Sequence, residues 1–177
     1  GMPVGPLQVG DETSLELTRK AGETWASMGV EDKWSDGAVT RRVIKDMITD
    51  NARGGRHHGG GYYEYHADGS KNIWPGLYDL YYKKDVHVSD DDIKDRLMFR
   101  QVIEALKCLQ TGVLRSVADG NIGSIMGIGA PAHTGGFIQY VNTYGFQAFI
   151  DRCEQLTSLY GERFECPEIV RQHMKSG

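Results

Sequence analysis

An all-α fold carrying one small β-hairpin is the architecture this sequence predicts, on three observations. Apolar residues recur every three to four positions over most of the chain, as one buried face of a helix requires. Strict alternation occurs in a single place, Tyr62-Tyr63-Glu64-Tyr65-His66, followed by the Asp68-Gly69 turn signal and Ile73-Trp74 as a returning strand. Glycine, proline and capping residues then divide the periodic stretches into helix-sized lengths.

The opening Gly1-Met2-Pro3-Val4-Gly5-Pro6-Leu7 predicts a non-helical lead-in, because prolines and glycines break a helical ladder. Asp11 predicts an N-cap, and Leu17, Ala21, Thr24, Trp25 and Met28 recur at helical spacing until Gly29 ends the run. A short helix follows Ser35-Asp36, with Val39, Val43 and Met47 beside Ile44 and Ile48. Arg53 to Gly61 reads as loop, since its glycines lose too much entropy in regular structure. Ser89 and Asp92 have capping-box spacing at the head of a long helix. Its apolar residues Ile93, Leu97, Phe99, Val102, Ile103, Leu106 and Leu109 occupy more than one face, which predicts a central, buried position ended by Thr111-Gly112. Phe146, Phe149, Ile150, Cys153, Leu156 and Tyr160 mark the clearest helix, stopped at Gly161. Pro167 opens a short last helix with Ile169, Val170, His173 and Met174.

A faint internal repeat runs through these elements. Gly1-Met2-Pro3 resembles Gly129-Ala130-Pro131, and each is followed by a break, a helix and a shorter helix. The second copy has a further long helix in front of it, from Ser89. Two related domains are therefore expected, a truncated first repeat over residues 1–80 and a complete second over 81–177.

Composition narrows the function classes. A net charge of -4 and a pI near 5.9 argue against a general polyanion-binding surface, which is basic. No nucleic-acid partner is expected, and the Arg53-Gly54-Gly55-Arg56 stretch with its tyrosines reads as a tight loop beside a hairpin. No apolar run approaches the length of a membrane span, and no charged-then-apolar leader is present. Cys108, Cys153 and Cys166 are odd in number and widely spaced, and Cys108 and Cys153 lie within apolar helical patterns. That usage fits a reduced compartment, a bacterial cytoplasm or organellar interior. Without C-x-x-C, and with His57 and His58 lacking clustered partners, no metal site is expected.

Gly127-Ile128-Gly129-Ala130-Pro131-Ala132 matches the G-x-G-x-x-A dinucleotide pattern, with Asp151 as a later acid. The chemistry needs a strand before it and an uninterrupted helix after it, so that helix N–H groups meet the pyrophosphate. Ser116 to Ile122 reads instead as capped helix or turn, and Gly135-Gly136 interrupts the required helix, so the stretch reads as a structural turn without a cofactor. His133 sits in a turn with no nucleophile or acid at a recognisable spacing. Asp90-Asp91-Asp92 favours the following helix dipole and lacks the spread of oxygens that calcium requires. The residues name no catalytic group.

The residues also carry a resemblance. Gly1 to Leu7 followed by Asp11 and Leu15 resembles the P-x-G-P-x(4)-D-x-x-G-L signature opening the C-terminal region of the 3-hydroxyacyl-CoA dehydrogenases. Gly55-Arg56-His57-His58-Gly59-Gly60-Gly61-Tyr62-Tyr63-Glu64-Tyr65 is similar to that family's G-R-K-x-G-x-G-F-Y-x-Y stretch, with His57 where the family has Lys. Ile73 to Leu77 and Asp92 to Leu97 resemble the segment joining the two helical repeats of the multifunctional α-subunit of fatty-acid oxidation. Ser116 to Gly129 resembles that subunit's second repeat, which single-function dehydrogenases lack. Ser14 stands where the family usually has Gly.

The resemblance implies an all-α pair of dehydrogenase C-terminal repeats, part of an enzyme that oxidises L-3-hydroxyacyl-CoA to 3-ketoacyl-CoA with NAD. Its catalytic His–Glu pair and NAD site belong to a Rossmann domain before the helical region, so no catalytic residue is carried over to this chain. It leaves here one wall of the acyl-CoA cleft, at Pro3, Val4, Gly5, Pro6 and Leu7, unless that turn only terminates a preceding helix. The implied partners are the acyl-CoA substrate, Rossmann and hydratase domains, further copies in a homo-oligomer and a thiolase subunit. The other reading is a free-standing helical interaction module with the same fold and no chemistry.

Overall fold

The computed structural model describes residues 4–29 and 37–176. Nine α-helices and one two-stranded antiparallel sheet occur among them. The expected fold class, all-α with one small hairpin, is the one observed. The chain divides into two compact units, Val4–Val86 and His87–Gly177.

The first unit holds α1 (Pro6–Thr13), α2 (Leu15–Ser27), α3 (Gly37–Lys45), β1 (Tyr63–Tyr65), β2 (Lys71–Ile73) and α4 (Gly76–Tyr81). The lead-in expected over residues 1–7 is shorter than the prolines suggested. Pro6 opens α1 at its first position, where no intrahelical N–H is required and its fixed φ suits the helix. Asp11 lies inside α1 and caps nothing. The Ser35-Asp36 start lies outside the described residues, but the helix it announces is present as α3, prolonged by a π-helical turn at Asp46–Asp50. Tyr63 pairs with Ile73 and Tyr65 with Lys71, with Asp68-Gly69 in the turn.

The core of this unit is small: Leu15, Ile44 and Met47 are buried, with Val43, Ile48, Tyr62, Trp74, Leu77 and Tyr81 packed around them. Val43 therefore faces inward, whereas Leu17, Trp25 and Met28 on the α2 stripe remain 60%, 55% and 70% exposed.

The second unit holds α5 (Asp90–Gln110), α6 (Val117–Ile128), α7 (Phe137–Tyr144), α8 (Phe146–Tyr160) and α9 (Glu168–Ser176). Phe99, Val102, Ile103 and Leu106 of α5 meet Phe137, Ile138 and Val141 of α7 and Phe149, Ile150, Cys153 and Leu156 of α8 in one core. The Phe99 and Phe149 rings stack with centroids 4.6 Å apart, and Tyr144 stands edge-on to Phe99 at 5.2 Å. Burial pushes the Tyr140 hydroxyl beside this cluster up to about 12. Only the later turns of α5 are central, for Ile93 and Leu97 stay exposed.

Both units contain the same run of helices. An eight-residue helix, a one-residue joint, a longer helix and a later nine-residue helix occur as α1–α2–α3 and again as α7–α8–α9. The joints share one backbone conformation: Ser14 has φ 74 and ψ 127, Gly145 φ 91 and ψ 127. That region is open to glycine and costly for a side chain, by roughly 1–3 kcal/mol. Ser14 recovers part of the cost by donating its hydroxyl to the Gly54 carbonyl at 3.1 Å. Ser14→Gly is therefore expected to raise the urea midpoint, by about 1 kcal/mol after losing that bond. Gly145→Ala, with no such bond to gain, is expected to lower it by about 1–3 kcal/mol.

Candidate functional site

The expected cleft-wall residues stand at the start of α1. Pro3 lies outside the described residues. Val4 is half-buried, and Gly5, Pro6 and Leu7 are exposed. Gly5 caps α1 in an extended conformation, and its carbonyl accepts from Val9 N at 3.0 Å. The segment thus presents an apolar Pro–Leu surface on a helix start whose backbone is already satisfied.

The far end of α1 is fixed by a buried carboxylate. Asp11 is fully buried and accepts from Tyr62 N at 2.7 Å, Tyr63 N at 2.9 Å and the Tyr65 hydroxyl at 3.0 Å. Gly61 is required at this approach, because a Cβ there would overlap the Asp11 carboxylate. Arg53 closes the same loop, donating from Nε to the Gly61 carbonyl at 2.6 Å and from Nη2 to the Tyr63 carbonyl at 2.8 Å. Its guanidinium lies 4.5 Å from the Trp74 ring centroid. Burial draws the Arg53 pKa down, against the raising influence of Glu64 and Asp11. Arg56 pairs with Glu12 at 2.6 Å and lies over the Tyr65 ring. Burial, then the bond to Asp11, pushes the Tyr65 hydroxyl well above its ordinary value. Arg53, Arg56 and Tyr65 thus bind the glycine-rich loop to the hairpin and to α1.

In the second unit the α6–α7 junction is built in the same spirit. Ser116 Oγ caps α6 by accepting from Asp119 N at 3.1 Å. Asn121 Oδ1 accepts from Ile138 N at 3.0 Å and Gln139 N at 2.9 Å, and Ser124 Oγ accepts from Phe137 N at 3.1 Å. The free N–H groups of α7 are thereby satisfied by another helix.

This geometry settles what Gly127–Ala132 is. Gly127 and Ile128 are the last residues of α6, and Gly129 is its left-handed C-cap with φ 71. Helix carbonyls, not helix N–H groups, point toward that turn, and a helix precedes it where a strand is required. Asp151 lies on α8 and accepts from Gln147 at 2.6 Å. The residues present do not fit a dinucleotide. His133 is exposed in a 3-10 turn over Ala132–Thr134.

One cluster escaped sequence reasoning. Asp92 is not the reciprocal partner of a capping box: Ser89 Oγ accepts from Asp92 N at 3.1 Å, but the Asp92 carboxylate turns to α8. It accepts from Arg152 Nη2 at 2.6 Å and from the Tyr160 hydroxyl at 2.6 Å, while Arg152 Nε reaches Asp95 at 2.7 Å. The Tyr160 hydroxyl, then Arg152, hold the Asp92 carboxyl below its ordinary value. No local signal announces a pair so far apart in sequence. Among the described residues no group of three or more His, Cys, Asp or Glu is arranged to hold a metal, and no helix is long and apolar enough to cross a membrane.

No family model matches the chain. It is similar to the fatty acid oxidation complex subunit alpha of several bacteria. The Vibrio vulnificus protein is 32% identical over 166 residues, which is 93% of this chain and 22% of that subunit. The Vibrio cholerae protein is 31% identical over 165 residues, again 93% and 22%. The Shewanella frigidimarina protein is 30% identical over 178 residues, 97% of this chain and 24% of the subunit. The chain thus spans less than a quarter of the curated relatives it matches. It is, over nearly its whole length, a homologue of one part of the fatty acid oxidation complex alpha subunits.

Proposed function

We propose that the chain is the C-terminal helical part of an L-3-hydroxyacyl-CoA dehydrogenase of fatty-acid β-oxidation. In this reading residues 1–80 belong to a first repeat and residues 81–177 to a second. The observation that carries it is similarity at 30–32% identity, sustained over at least 93% of the chain, to alpha subunits named for fatty acid oxidation. The recurrence of α1–α2–α3 as α7–α8–α9 supports the two-repeat reading.

The chemistry of the whole enzyme would be removal of the 3-hydroxyl proton by a general base while hydride passes to NAD. Neither the base nor the nucleotide site is assigned to this chain, whose one dinucleotide-like pattern closes a helix C-terminus. Its own part is to present Pro3, Val4, Gly5, Pro6 and Leu7 as one wall of the acyl-CoA cleft. The Asp11 bonds fix the angle at which α1 carries that wall. Association is its second part. The exposed Leu17, Trp25 and Met28 stripe supports contact with a further copy, or with the nucleotide-binding, hydratase or thiolase parts of such a complex.

Incubated with L-3-hydroxybutyryl-CoA and NAD, the isolated chain is expected to form no NADH. Steady turnover in a preparation free of contaminating dehydrogenase, or NAD binding by calorimetry abolished by Gly129→Val, would overturn this division of labour.

A further inference from the structure

Helix α6 presents an apolar side to solvent. It packs on α7 through Gly120, Asn121 and Ser124: a Cβ at Gly120 would press on Ile138, and the two polar side chains hold the α7 N–H groups. The opposite side carries Ala118, Ile122 and Met126 in one row four apart, and Asp119, Gly123 and Gly127 in the next. All six are exposed, Ile122 at 63% and Met126 at 80%. A solvent-facing side of a helix is ordinarily polar. Glycine inside a helix is also costly beside alanine. A Cβ at Gly123 or Gly127 would meet nothing within 4 Å among the described residues, so no close approach there explains either glycine.

We propose that this side of α6 is a self-association surface, on which α6 of a second copy of the chain docks about a two-fold axis. The occupant follows from the shape. Ile122 and Met126 make a ridge, and Gly123 and Gly127 beside them make a groove with the same four-residue step. Rows four apart are those through which helices most commonly cross, at about -50°. Ridge and groove lie side by side on one helix, so the surface is complementary to itself. Under a two-fold rotation the ridge of each copy enters the groove of the other. The missing side chains of the groove are what let the two backbones approach.

Charge and area agree with this occupant. Asp119, in the first turn, is the one charged residue of α6, so the centre of the crossing desolvates no ion. Antiparallel copies of the helix also lie with their dipoles head to tail. The exposed Val113 and Ile128 extend the apolar surface at the two ends of the helix. With them the face offers on the order of 500 Å² per copy, and roughly 1,000 Å² in the pair is the lower bound for a specific interface. The dimer is therefore weak and concentration-dependent. The proposal does not rest on the exposed α2 stripe, which belongs to the other unit.

The test is sedimentation equilibrium of the 177-residue chain, from micromolar to near-millimolar concentration, where a monomer–dimer equilibrium is expected. Met126→Glu sets a charge on the ridge at an exposed position. It is expected to raise the dissociation constant about tenfold or more, with far-UV circular dichroism unchanged. Gly123→Ala separates the surface from ordinary helix stability, because its two expected effects have opposite signs. Alanine is the better helix former, so the urea midpoint rises when measured at a dilution where the chain is monomeric. The added methyl fills the groove, so the dimer weakens by about tenfold. Leu17→Asp, on the α2 stripe, is expected to leave the dissociation constant unchanged. A dimer broken by Leu17→Asp and untouched by Met126→Glu would overturn the α6 surface and leave the α2 stripe as the place of association. A monomer at every concentration would overturn the α6 surface too, together with any self-association of this chain.

Discussion

Phe149→Ala is expected to destabilise the second unit by about 3–5 kcal/mol, the range for truncating a buried aromatic. Phe149 is fully buried, stacks on Phe99 and has Tyr144 edge-on at 6.3 Å. Its removal leaves a hole where α5, α7 and α8 meet, and helix backbones hold the walls apart. A loss of that size is a large share of the stability of a small domain, commonly about 5–15 kcal/mol. Urea unfolding followed by far-UV circular dichroism reads it. Leu97→Ala is the control: the same helix α5 carries Leu97, but on its exposed side, so a shift within about 0.5 kcal/mol is expected. Equal shifts for the two variants would mean that the core is misplaced.

The first unit should fail by a different route. Asp11→Ala removes an acceptor from Tyr62 N, Tyr63 N and the Tyr65 hydroxyl at once. Each donor left without a partner away from water costs about 1–3 kcal/mol, so a total near 3–5 kcal/mol is expected. The unit has little else to spare, since its apolar core has only three buried side chains among the described residues. All three tryptophans, Trp25, Trp34 and Trp74, precede Val86, so tryptophan fluorescence reads the loss in this part of the chain. Asp11→Asn keeps one good acceptor oxygen and should retain part of the stability. A fluorescence-detected urea midpoint unchanged in Asp11→Ala would show that the carboxylate is not what ties α1 to the hairpin.

The elements that sequence reasoning located are those whose information is local. The α8 stripe from Phe146 to Tyr160 repeats the helical period four times and is closed by a glycine, and its observed bounds are the expected ones. Ser89 and Ser116 work as caps within three residues of their partners, and they too were legible. The failures share a cause. Pro6 breaks a helix anywhere except its first turn, and nothing local distinguishes the two cases. The α7 helix has glycine at both ends and is capped from α6, by Asn121 and Ser124, so no signal in its own sequence marks its start. Asp11 has the look of an N-cap, but its partners lie on the hairpin more than fifty positions away. Asp92 likewise spends its carboxylate on α8.

The candidate site was legible only through resemblance. A Val–Gly–Pro–Leu segment carries no chemistry of its own, and from Gly5 onward its geometry is that of an ordinary helix start. The family pattern is also what gives Ser14 its meaning. The joint between α1 and α2 has positive φ at Ser14, and its counterpart in the second unit is Gly145, so glycine is the residue that the backbone there would favour.

The most direct measurement is L-3-hydroxyacyl-CoA dehydrogenase activity in extracts of the native organism grown on a fatty acid. Two strains are compared, one intact and one with a stop codon in place of the Trp25 codon, so that α3 and everything after it is lost. If the chain closes the cleft and holds the enzyme together, NAD reduction with L-3-hydroxybutyryl-CoA falls at least tenfold in the truncated strain, and the intact gene restores it. Equal activity in the two strains, with the intact chain shown to be expressed, would contradict a role in that enzyme.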